Sequence, residues 1–178
     1  MKLAGRDATK FLRAPDPGRA GILIYGADPM RVATARVQVV AALVGPQGES
    51  EMRLTRIPAS DLRKDPAQVN DGIKAQGFFP GPRVVLVEDA TDGLSKLMTD
   101  VLNDWRDGDA QLIVTAGQLT AKSALRKVFE GHRASVAIGL YDDPPSAEDI
   151  QTLLDAAKIE VPNREVMDAI NALAHSLT

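Results

Sequence analysis

Strand-length apolar runs alternating with longer amphipathic stretches constrain this chain more than any other feature. GILIY (21–25), RVVLVED (83–89), AQLIVTA (110–116) and ASVAIGLY (134–141) each set apolar residues side by side, as strands buried on both faces do. EMRLTRIP (51–58) alternates instead, with Met52, Leu54 and Ile57 among charged residues, in the manner of a half-exposed strand. Helical patterns fill the intervals. Strand and helix alternating over residues 20–141 predict an α/β fold, with a five-stranded, mostly parallel sheet and helices on both faces. Aromatics make up only 4% of the chain against 44% hydrophobic residues in all, so the core has to be built from Val, Leu, Ile and Ala.

Punctuation residues set the element limits. Residues 3–14 read as a short helix with Leu3, Phe11 and Leu12 as core contacts, stopped by APDPG (14–18). Asp28 suits an N-cap and Pro29 the first helical position of a helix running to about Val44. Ser60 or Asp61 opens the next helix, Pro66 marks a break or a second start, and Gly77 ends it. Residues 93–106 place Leu94, Leu97, Met98, Val101, Leu102 and Trp105 on one stripe, and residues 120–131 form a helix closed by Gly131. Trp105 completes that stripe and is read as packed. Beyond Tyr141, DDPPSAED breaks the pattern. Helices at 146–158 and 163–177 then read as the opening of a helical domain over 142–178, within a chain lacking downstream sequence.

Several function classes are poorly served by these residues. Net charge is −3, which gives no bulk attraction to nucleic acid. The chain has no cysteine, so disulfides, thiolate metal sites and Cys nucleophiles are excluded. No stretch is long and apolar enough to span a membrane, and the charged start lacks a signal-peptide centre; a cytoplasmic location is expected. GILIYGAD shows the G-x-x-x-x-G spacing of a phosphate loop, but Ala27 and Asp28 stand where Lys and Ser/Thr are required. Gly26, Asp28 and Pro29 therefore form a degenerate nucleotide site: the carboxylate occupies the helix N–H groups and Pro29 removes a donor.

Glu88 and Asp89 at the end of VVLVED then have no nucleotide-bound magnesium to hold, and read as solvated acids. His132 and His175 sit in no metal-like cluster, and no cofactor or metal is expected. A phosphorylated receiver domain would need Lys just after the last strand, where Tyr141-Asp142-Asp143 stands. Lys122, Arg126 and Lys127, with Arg133 beyond them, read either as a solvated basic face or as a partner contact.

GFFPGPRVVLVED (77–89) raises a separate question, because it places two of the chain's four phenylalanines at a loop. Phe79-Pro80-Gly81-Pro82 suits a tight turn, with Pro fixing φ at its second position and Gly allowing positive φ at its third. From residue type alone, Phe78 and Phe79 either seal the sheet edge or are offered to a partner. ILIYGADPMRV, GFFPGPRVVLVED, DAQLIVTAGQLTAKSALRKVFE and YDDPP together resemble the bacterial DNA polymerase III delta subunits, most closely their alphaproteobacterial forms. The resemblance spans this whole chain but only the N-terminal part of that family's length.

The resemblance implies an AAA+ (P-loop NTPase-like) domain at 1–141 without a working nucleotide site. It implies a partial helical lid at 142–178 and lacks the C-terminal collar domain. It further implies a clamp-loader subunit with no hydrolytic activity of its own. Its partners would be the beta sliding clamp, the gamma/tau and delta prime subunits, and DNA through the assembled complex. Gly77, Phe78 and Phe79 match the family's clamp-binding stretch, where Phe replaces the more usual Leu at the first apolar position. A degenerate P-loop hydrolase and a regulatory α/β domain binding a small ligand at the strand ends are the alternatives.

Overall fold

The computed structural model describes residues 1–141 together with Val166, Asp168, Ala169 and Ala172. The chain divides into two compact units, Met1–Tyr141 and Asp142–Thr178. The expected helices at 146–158 and 163–177, and His175, lie outside the described residues, apart from those four helical positions.

In the first unit the order is β1 (Lys2–Leu3), α1 (Gly5–Arg13), β2 (Gly21–Gly26), α2 (Pro29–Val44), β3 (Leu54–Pro58), α3 (Ala59–Leu62) and α4 (Ala67–Lys74). There follow β4 (Val84–Glu88), a 3-10 turn (Asp92–Leu94), α5 (Ser95–Asp104), β5 (Gln111–Ala116), α6 (Ala124–Gly131) and β6 (Ser135–Leu140). The six strands form one sheet in the order β1-β6-β2-β5-β4-β3, and every pairing is parallel. The sheet thus has six strands where five were expected. The extra one is a pair of residues: Lys2 and Leu3 lie beside Ala137 and Ile138, and the first helix starts only at Gly5.

The continuous apolar runs are explained by two-sided cover. Ile22, Ile24, Val84, Leu86, Ile113, Val136 and Ile138 face α1 and α2, packing on Leu12, Val39 and Leu43. The alternate residues, among them Leu23, Val85, Val87, Leu112 and Val114, face the other layer, against Val69, Ile73, Met98, Leu102, Leu125 and Phe129. Each such side chain taken wholly from water contributes about 1.5–3 kcal/mol. Trp105 is packed against this second layer, and its indole N–H donates to the Ala110 carbonyl at 3.0 Å.

Two boundaries differ from expectation in ways that matter below. The alternating segment 51–58 enters the sheet only at Leu54. Met52 lies before it in a turn, with φ 51°, 71% exposed. Helix α4 ends at Lys74, where Ala75 turns extended, so Gly77 is not its cap. Gly77 instead permits a close approach: a Cβ there would lie 3.1 Å from the Arg83 Cδ.

Candidate functional site

Residues 75–83 link α4 to β4 and carry the aromatic pair on an exposed tip. Phe78 is 96% exposed and Phe79 43%. Residues 77–82 are all exposed, and Gly81 takes φ 120°, which an L side chain resists. Pro80 and Pro82 stiffen the corner, and since Pro82 has no N–H the turn cannot close by the usual backbone bond.

Its two feet are held by side chains instead. Arg53 Nη1 donates to the Pro82 carbonyl at 3.1 Å, and its Nε to Glu51 Oε2 at 2.7 Å. Arg83 Nη2 donates to the Gly108 carbonyl at 2.9 Å. On the helical side, Lys74 Nζ donates to Asp109 Oδ2 at 2.7 Å, and the Ala110 N–H to the Ile73 carbonyl at 3.0 Å. The rings are therefore presented on a short segment fixed at both ends, which lowers the ordering cost of binding. Arg53 and Arg83 carry no local signal in the sequence, because their partners come from strand register and from the neighbouring loop.

The second candidate is the crevice at the C-terminal ends of β2, β4 and β5, where open parallel sheets commonly bind ligands. A cleft of about 180 Å³ lies there, lined by Gly26, Ala27, Pro29, Arg36, Glu88, Asp89, Thr115 and Gly117 among others. Its phosphate-binding elements are taken. Asp28 Oδ1 accepts from the Met30 N–H at 2.8 Å and the Arg31 N–H at 3.4 Å, and Pro29 fills the first helical position. Gly26 packs against β6: a Cβ there would stand 2.7 Å from the Leu140 carbonyl oxygen. Arg36, which sequence reasoning passed over, donates to Glu88 Oε1 and ties α2 to the end of β4. Asp89 turns the chain sharply at φ 59°, its N–H donating to Thr115 Oγ1 at 3.3 Å. Among the described residues, no group of three or more His, Cys, Asp or Glu could hold a metal ion.

The basic helix is only partly outward-facing. Lys122 and Lys127 are exposed, but Lys122 precedes α6. Arg126, expected on the same face, is instead buried. Its Nε donates to Glu130 Oε1 at 2.7 Å, and its guanidinium lies 5.4 Å from the centre of the Tyr25 ring. Such an arrangement keeps the charge paired and stacked, and leaves Arg126 no free face for a partner. The Tyr25 hydroxyl shares a 3.0 Å hydrogen bond with Tyr141, and burial pushes its pKa well above the ordinary range.

No protein-family profile and no curated protein sequence matches the chain. Among solved structures, it is similar to the Bacillus subtilis DNA clamp loader delta protein (YqeN), at a TM-score of 0.59 and 12% identity. That match covers 85% of this chain and 46% of the other, so the chain spans about half the length of its structural neighbour. A second structure, the E. coli MS115-1 HORMA:CdnC:Trip13 complex, matches at a TM-score of 0.44 and 13% identity, over 96% of this chain and 62% of that one. The first likeness bears on the fold alone: the six-stranded parallel α/β unit is similar in fold to part of that protein. No helix among the described residues is long and apolar enough to cross a membrane.

Proposed function

We propose that this chain is the clamp-engaging part of a clamp-loader delta subunit, with Phe78 and Phe79 as its anchor on the sliding clamp. One observation carries the reading: an aromatic ring 96% exposed, beside a second ring 43% exposed, on a corner fixed at both feet. Adjacent aromatics on a rigid corner suit a small apolar pocket on a partner, and each ring buried there contributes about 1.5–3 kcal/mol. The fold likeness to a clamp loader delta protein supports the same assignment.

On this reading the unit is an AAA+ domain whose nucleotide site has lapsed, and 142–178 begins a helical lid. The chain hydrolyses nothing itself. It works beside gamma/tau and delta prime subunits, whose ATP-driven rearrangement presents the tip to the clamp. Burial of the rings then favours the opened ring over the closed one, as any ligand shifts an equilibrium by its differential affinity. DNA is met through the assembled loader.

Calorimetric titration of the chain into the sliding clamp of its own organism tests this. The F78A/F79A variant is expected to keep its fold and to lose binding by at least about 100-fold. Unchanged affinity with an intact fold sinks the assignment.

A further inference from the structure

A second exposed apolar side chain leaves the molecule at the same end as the aromatic tip. Strands β3 and β4 are adjacent and parallel, with Leu54 beside Val84 as their first registered pair. Met52 and Pro82 each stand two residues ahead of that pair. Arg53 joins the two approaches: its carbonyl accepts from the Val84 N–H at 2.8 Å and its guanidinium donates to the Pro82 carbonyl at 3.1 Å. The same guanidinium is the nearest group to Gly81, 3.4 Å from where a Cβ would stand.

Met52 is also in a conformation that its side chain does not favour. Its φ of 51° falls in the left-handed region, which Gly or Asn would occupy at less cost. Hydrogen bonds impose it: the Met52 N–H donates to the Glu49 carbonyl at 3.0 Å and the Arg53 N–H to the Gly48 carbonyl at 2.7 Å. Strain of this kind, holding a side chain 71% exposed, does nothing for the core. A turn chosen for stability alone would place Gly here.

We infer that Met52 is a further apolar anchor for the partner surface that takes Phe78 and Phe79. This rests on the function proposed above, since the occupant is the same folded protein, the sliding clamp. The argument for that occupant is continuity: both displays issue from neighbouring strand ends and share Arg53 as their tether. An unbranched thioether adapts to an irregular apolar surface, so it suits the margin of a pocket whose centre takes the rings.

The test is a binding series with the intact chain and purified clamp, read by calorimetry beside thermal melts. M52A should weaken binding about 10-fold with Tm unchanged, and M52L should stay within about twofold of wild type. M52G should weaken binding as M52A does while melting at the same temperature or higher, because it relieves the left-handed strain. If M52A and M52G bind like wild type while F78A/F79A fails, Met52 is no anchor and the proposed function stands. If M52L loses as much affinity as M52A, apolar contact is not what Met52 provides, and the inference is overturned. If F78A/F79A itself binds normally, the underlying reading falls, whatever Met52 does.

Discussion

Phe78 and Phe79 share a tip but not an environment, and their removal should separate the free chain from the bound one. Phe78 touches almost nothing, so F78A should leave the melting temperature within about 1 °C of wild type. Phe79 is more than half covered, so F79A should cost about 1 kcal/mol of folding stability, measured by urea unfolding. A Phe78 variant that unfolds early would mean that the ring packs in solution. At this scale the sequence was most legible where side-chain chemistry acts locally: Asp28 and Pro29 start α2, and Gly81 takes the positive φ of its turn. It was least legible where direction matters. Arg126 sits in a basic run with Lys122 and Lys127, but a helix turns about 100° per residue, which carries Arg126 inward to Tyr25 and Glu130. The exposure of the Phe pair was equally hidden, because an aliphatic core leaves room in principle for two rings.

Helix α6 illustrates how elements are secured and at what pH they loosen. Ser123 caps it, and Asp92 accepts from the Ser123 hydroxyl and from the Leu125 N–H at 3.1 Å. Those bonds, the Ser123 hydroxyl first, hold the Asp92 pKa below its ordinary 3.8. At the other end, burial and then the neighbouring charges of Arg133 and the N-terminus lower the His132 pKa from 6.5. The His132 Nδ1 accepts from the Ala134 N–H at 3.3 Å, which requires it unprotonated. Both folded values lie below the unfolded ones, so both contributions are present at neutral pH and are lost on acidification. Melting temperature should fall first below about pH 6.5 and again below about pH 3.8, H132Q flattening the first step and D92N the second. A Tm in H132Q that still drops between pH 6.5 and 5 would assign that step to another group.

The elements themselves were legible in proportion to their burial. Covered parallel strands write continuous apolar runs, and β2, β4, β5 and β6 follow them, while the edge strand β3 shows only alternation. β1 left no trace, because two residues carry no period and its partners lie on β6. Met52 was misplaced because alternation with Leu54 imitates a strand where the backbone is in fact turning.

For the whole molecule, the parallel order β1-β6-β2-β5-β4-β3 leaves a crevice at the strand ends and then occupies its phosphate donors with Asp28. Equilibrium dialysis with magnesium and ATP should therefore show no retention, at nucleotide levels that saturate a working phosphate loop. Saturable retention would overturn the reading of that crevice. The uncovered ring at position 78 has a colloidal consequence as well. A net charge of −3 gives copies of the chain little mutual repulsion, and added salt screens what there is. Concentrated samples at high ionic strength should then associate through their corners and cling to phenyl-bearing resins. The missing benzyl group of F78A would make that variant the better-behaved material for crystallisation trials.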